Sequence, residues 1–253
     1  EEALERAQIN NQSKLVTLGL SPHAPYTVSL RLYVLLSKLA ERKGLPLSVH
    51  MAESSQEVKY VKESSGEFVE RLYPLIGWNK FVPAPSNMSP ARYLNSLGVL
   101  KEGTIAVHAV HVDETDIAIL KKSGTGIALC PRSNFFLGVG KAPVNRFLET
   151  GIPVGLGTDS LASNTTLSLW DEMRFVRDTL HMEPSVLLTM ATLGGAKALC
   201  LDQNIGSLEA GKEADMIAVS MEGCRNGEDP VSYVVEKGMD ERIEMVMVAG
   251  KEI

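Results

Sequence analysis

The alternation of short apolar runs with longer amphipathic stretches most constrains what this chain can become. Runs at 14–20, 45–49, 104–110, 126–130 and 152–157 are the length of buried strands. The stretches between them carry helical signals. Residues 28–43 place Leu32, Leu35, Leu36 and Leu39 on one stripe, and Gly44 then Pro46 stop the helix. Ser54-Ser-Gln-Glu57 has the capping-box spacing and opens the next helix. A short helix is predicted over 67–76 and a proline-broken loop over 78–88. Ser89-Pro90 supplies an N-cap and a proline at the first helical position of a helix ended by Gly98. Further helices are predicted from Asp113 to Gly124 and over 143–150, 166–179, 184–193 and 195–201, with a glycine-containing loop over 131–140.

Strands alternating with helices imply a parallel sheet with both faces covered. A full barrel takes eight strands and about 250 residues, whereas here five units and a tail already occupy all 253 residues. The predicted fold is therefore α/β, the last five units of a (β/α)8 TIM-like barrel. A doubly wound sheet is the alternative, weakened because no Gly-x-Gly-x-x-Gly turn follows a strand. The tail changes character. Residues 214–220 and 242–253 are strand-like, with a polar stretch at 223–229 between them, and predict a small β-sandwich appendage. The expected division is a barrel portion at 1–204 and the appendage at 205–253.

Composition narrows the function. Hydrophobic residues make up 44%, the net charge is −6, and no block of basic residues occurs. Nucleic acid and anionic membranes are therefore not expected partners. No apolar run is long enough to span a bilayer and no signal peptide is visible. Cys130, Cys200 and Cys224 are odd in number and lack metal-ligand spacing, which predicts a reducing, cytoplasmic compartment. The opening Glu1-Glu-Ala-Leu-Glu-Arg-Ala reads as the middle or end of an amphipathic helix, and a preceding segment is expected to be missing.

The candidate chemistry lies at the strand ends. His23, His50, His108 and Asp159 each stand at or just beyond the end of a run, with Glu53 three residues after His50. In a parallel barrel these ends share one face. Each residue alone has an ordinary structural reading. His23 could cap a turn between prolines, and His108 could be a core histidine. Glu53 could be a helix-entry charge, Asp159 a turn residue, and Cys130 a small buried side chain. His111 reads as a loop or supporting group and His181 as surface. Convergence of four such ends is harder to explain by packing.

Pro22-His23-Ala-Pro-Tyr26, His50-Met-Ala-Glu53, Val107-His108-Ala-Val-His111, Cys130-Pro-Arg-Ser-Asn134 and Gly157-Thr-Asp159-Ser-Leu-Ala-Ser-Asn164 occur in that order. The chain resembles the amidohydrolase superfamily in these motifs, and in Gly206-Ser-Leu-Glu-Ala-Gly-Lys-Glu-Ala-Asp215 of the tail. Its branch looks like the methylthioadenosine/S-adenosylhomocysteine deaminases, with a similarity to aminodeoxyfutalosine deaminases.

The resemblance implies one divalent metal ion, zinc with iron as the alternative. His50 and Asp159 match ligands, Glu53 the proton shuttle, and His108 the residue that holds or polarises the attacking water. His23, Glu53, Arg132 and Asp159 match substrate contacts. The implied partner is a small nucleoside or heterocyclic base, and a homo-oligomer is compatible with the family. The implied reaction is hydrolytic deamination of an adenine-bearing nucleoside. Alternatives are another amino- or chloro-substituted heterocycle, or a non-catalytic barrel fragment. The family also carries a His-x-His pair that supplies two more ligands. The histidines here, at 23, 50, 108, 111 and 181, contain no such pair, and the pair is expected in the missing segment.

Overall fold

A computed structural model describes residues 2, 4, 6, 7, 13, 15–238 and 242–253. Four strands, β1 (Leu47–Met51), β2 (Thr104–His108), β3 (Gly126–Leu129) and β4 (Val154–Leu156), form a parallel sheet in sequential order. The register pairs Leu47 with Thr104, Ile105 with Gly126 and Ile127 with Val154. Sequential parallel strands joined by helices are the β/α units of a TIM-like barrel, as the alternation predicts.

The helices begin and end where local chemistry dictates. In α1 (Leu30–Lys43) the Ser29 hydroxyl accepts the Leu32 amide, and Gly44 closes the helix at φ 63°. In α2 (Ser55–Glu63) Ser54 accepts from the Glu57 amide, and in α3 (Pro90–Ser96) Ser89 accepts from that of Arg92. Asp113 and Asp116 form a reciprocal capping box on α4 (Glu114–Ser123). Next come α5 (Pro131–Phe136), α6 (Val144–Thr150), α7 (Leu169–Leu180), α8 (Pro184–Ala191) and α9 (Leu193–Ala198). Residues 68–75 fold as a π-helical turn running into one turn of α-helix.

The alternation along the strands decides the layers. Leu47, Val49 and Met51 are buried on one face of β1, and Ser48 and His50 are half-buried on the other. The buried face joins Tyr33, Leu94, Leu120, Ile127, Phe147 and Leu187 in one core between sheet and helices. Each fully buried side chain of this size contributes about 1.5–3 kcal/mol. Glycines bring α9 onto the sheet. A Cβ on Gly126 would sit 2.7 Å from Ala198 Cα, and one on Gly155 would sit 2.7 Å from Gly195 Cα. Both neighbours are backbone and cannot rotate away. Gly126→Ala is therefore expected to lower stability by about 1–3 kcal/mol, read as a lower urea midpoint at unchanged slope.

Three expectations need correction, at 14–20, at 131–140 and between the tail strands. Of the strand predicted at 14–20, Lys14 lies outside the described residues, and the described residues show an isolated parallel bridge from Leu20 to Leu47 in place of a full ladder. Leu15 and Val16 are exposed, so no burial holds them in a ladder. The loop predicted at 131–140 contains α5, started by Pro131 at the first helical position. The tail strands expected of the small β appendage form one antiparallel sheet of β5 (Met216–Val219), β6 (Ile243–Val248) and β7 (Lys251–Glu252). Between β5 and β6 lies an unforeseen helix, α10 (Pro230–Lys237), capped by Asp229.

Candidate metal centre at the strand ends

Parallel register places residues opposite one another on the same face. His50 pairs with Val107, and His108 pairs with Met51. Regular alternation would therefore put the two imidazoles on opposite faces. They nevertheless meet, with ring centroids 4.9 Å apart and nearly perpendicular. The backbone accounts for this. His108 has φ 72° and Ala109 φ 47°, a left-handed turn that ends the pleat and swings the ring across. Ala52 (φ 53°) and Asp159 (φ 58°) bend the exits of β1 and β4. Left-handed conformations of non-glycine residues cost about 1–3 kcal/mol each and gather at functional sites.

His50, Glu53 and His108 come together so that one ligand atom from each lies within 4.8 Å of the others. The Nδ1 of His108 is 2.9 Å from Oδ1 of Asn134, on α5. With Nδ1 donating there, Nε2 presents a lone pair to the centre. That nitrogen is buried without a hydrogen-bond partner, 3.7 Å from Oε1 of Glu53. An orphaned buried nitrogen is costly, and it marks a position where a ligand atom fits. His23 joins through its ring, 4.8 Å from that of His50, and its carbonyl accepts the His50 amide at 2.8 Å. Tyr26 lies edge-on to His23 and stacks on Phe68 at 4.1 Å, giving the site one aromatic side.

Asp159 stands beside this trio. Its Oδ2 accepts the hydroxyls of Ser133 (2.7 Å) and Ser163 (2.8 Å). Burial pushes its carboxyl up, but those hydroxyls and His108 outweigh it and hold the group below the usual carboxylate range. Burial, with the neighbouring His108 and His23, pushes His50 down to about 4. Burial likewise lowers His108. Glu53 moves the other way, raised by burial and by Asp159 against the pull of His50. His50, Glu53 and His108 have metal-ligand spacing, and Asp159 acts on the two histidines electrostatically; imidazoles with carboxylates are a donor set for a divalent ion of the zinc type. The protonation-prone carboxyl beside them suits acid–base work.

Other expected residues lie elsewhere. The Arg132 guanidinium donates to Thr165 and Thr166 and sits 3.4 Å from Asp171. None of its hydrogen bonds or ion pairs reaches the histidine–carboxylate cluster. His111 Nε2 bonds the Val139 carbonyl, and exposed His181 ends α7 in a left-handed cap. Cys130 is buried, and burial raises its thiol to about 12, so it is no nucleophile. Asn134, Ser133 and Ser163 support the site from within the quoted motifs, although the sequence assigns them no role. The Cys130-Pro131 start of α5 was the available signal for the first two.

A parallel β/α sheet with imidazoles and carboxylates gathered at its strand exits is the arrangement of a TIM-like barrel with a candidate metal centre. The sequence model of the amidohydrolase family matches residues 2–253, and the chain belongs to that family. It is 34% identical over 249 residues to a 5-methylthioadenosine/S-adenosylhomocysteine deaminase of Pelotomaculum thermopropionicum, covering 94% of this chain and 52% of that one. It is 40% identical over 192 residues to an aminodeoxyfutalosine deaminase of Deinococcus radiodurans, covering 72% and 45%. The structure superposes on a zinc-bound adenosine deaminase from Xanthomonas campestris with TM-score 0.80 and 27% identity, over 99% of this chain and 55% of that one. The chain spans about half the length of the curated relatives it matches.

Proposed function

We propose that this site performs hydrolytic deamination of an adenine-bearing nucleoside, of the S-adenosylhomocysteine, methylthioadenosine, adenosine or aminodeoxyfutalosine type. The observation that carries the reading is the buried, unpartnered Nε2 of His108 facing Glu53 and His50. The relatives named as deaminases support it. His50 and Asp159 would hold a divalent ion, zinc or iron by donor chemistry, and the zinc-bound neighbour supports zinc. Such an ion supplies Lewis-acid charge that makes a hydroxide nucleophile available near neutral pH.

The chain's own residues do the rest. His108 orients the attacking water through Nε2, held by Asn134 behind it. Asp159, fixed by two serine hydroxyls, faces the same water. Glu53 takes the water's proton and passes it to the ring nitrogen, which makes the amine-bearing carbon electrophilic. The water oxygen adds to that carbon. Glu53 then takes the proton of the added hydroxyl and gives it to the amine, so that the carbon–oxygen double bond forms as the carbon–nitrogen bond breaks and ammonia leaves. His23 and the Tyr26–Phe68 pair offer the base an imidazole and an aromatic side. Arg132 contributes to substrate binding in this reading only through the loop at Thr165 and Thr166 that it braces.

The three thiols form no disulfide, and no helix among the described residues is long and apolar enough to cross a membrane. A reducing cytoplasmic compartment fits those thiols. The reading is tested by ammonia release from adenosine, methylthioadenosine, S-adenosylhomocysteine, guanine and cytosine. Release from one or more of the three nucleosides is expected. Release from guanine or cytosine alone would replace it with a general heterocycle hydrolase.

A further inference from the structure

A glutamate at the third position of a helix ordinarily reaches back to the amide of its own N-cap. Glu57 has that position behind Ser54, and the Ser54 hydroxyl accepts the Glu57 amide at 3.2 Å. The return half of the motif goes elsewhere. Oε1 of Glu57 accepts the Ala52 amide at 2.7 Å and Oε2 accepts the Glu53 amide at 2.9 Å. Both oxygens are thus spent on the two residues before the cap. Glu57 is fully buried, and no ion pair reaches it among the described residues.

A buried carboxyl without a cation is an expensive way to start a helix. What it secures is a particular turn. Two successive amides converge on one carboxyl here with Ala52 in the left-handed region, at φ 53°. The same turn reaches across to the next strand, since the Ala52 carbonyl accepts the amides of Val110 (3.0 Å) and His111 (2.8 Å). One strained residue therefore ties the loop carrying Glu53 to the loop leaving His108. Glu57 is the side chain that holds it.

We propose that Glu57 is a positioning residue. It clamps the left-handed Ala52–Glu53 turn so that the Glu53 carboxyl faces His108 Nε2 and the reacting centre. The inference rests on the deaminase reading insofar as Glu53 is the group that moves the proton. The clamp needs two acceptors. Glutamine has the same shape but offers one, and it turns an NH2 toward the other amide.

Glu57→Gln is the test. Turnover is expected to fall about 30- to 100-fold with KM held within about twofold, because misplacing a catalytic group by ~1 Å costs about that much. The Glu53→Gln/Glu57→Gln double variant is expected to be no slower than Glu53→Gln alone, within about twofold, since Glu57 acts through Glu53. In the metal-free chain, hydrogen exchange of the Ala52 and Glu53 amides is expected to speed up at least about tenfold in Glu57→Gln, with β2 and β3 protection unchanged. Near-wild-type turnover in Glu57→Gln, an additive loss in the double variant, or protection lost throughout the sheet would each overturn the proposal. If Glu53→Gln itself retains turnover, the deaminase reading fails instead. The exchange of the two amides then decides the clamp on its own.

Discussion

Glu53→Gln is expected to lose about 10³-fold in turnover while keeping its metal. Glu53 sits two residues past the end of β1, with its side chain 13% exposed and Oε1 3.7 Å from His108 Nε2. Burial raises its pKa, so it can both take and return a proton. Glutamine keeps the shape and the packing but cannot carry a proton. General acid–base transfer is worth about 10²–10⁴-fold, and here one group serves the water, the ring nitrogen and the leaving amine. His50 and Asp159 are untouched by the change. Steady-state ammonia release and metal content per chain are the two readings. Turnover near wild type would remove Glu53 from the mechanism. Loss of metal along with turnover would make Glu53 a ligand, a role its place within 4.8 Å of both histidine nitrogens allows geometrically.

Asp159→Ala should damage both readings at once. Removing an outer partner of a ligand already costs about 10–100-fold in metal affinity, and loss of the ligand itself is expected to exceed about 100-fold. Turnover should fall with it. Two side effects accompany the change. Ser133 and Ser163 lose their shared acceptor, and alanine must hold φ 58°, where asparagine and aspartate are better tolerated than alanine. Asp159→Asn separates these effects. It keeps an acceptor for the serines and accepts the backbone, so it should melt near wild type yet still retain metal poorly. Metal retention in Asp159→Asn equal to wild type would show that the aspartate charge does not hold the ion.

Much of this fold is legible in local pattern. The apolar runs locate β1 to β4, because a buried parallel strand must be continuously apolar. The caps at Ser29, Ser54, Ser89 and Asp113 locate four helix starts, because each satisfies an orphan amide in its own turn. Even α10 carried its signal in Asp229-Pro230, hidden by the polar residues before it. Runs at strand ends also brought His23, His50, Glu53 and His108 into one expectation, and the structure does bring them together.

What local pattern could not carry is non-local. The meeting of His50 with His108 depends on a left-handed φ that breaks the pleat, and no residue type announced it. Asn134 finds His108 across 26 residues. Glu57 looked like half of a capping box, and its true partners depend on the bend at Ala52. Arg132 has the right neighbours in sequence but spends its guanidinium on Thr165, Thr166 and Asp171. Leu20 shows the reverse failure. The run before it is apolar enough for a strand, yet among the described residues its ladder to β1 is a single bridge at Leu20.

We propose that the His50, Glu53, His108 and Asp159 cluster hydrolyses a nucleoside amine with a divalent ion. The most direct measurement is ammonia release from an adenine nucleoside before chelation, after chelation, and after zinc is restored. The expected result is release that disappears with the metal and returns with about one zinc per chain. Release that survives complete removal of metal, or no release from any adenine nucleoside by the zinc-loaded protein, would contradict it.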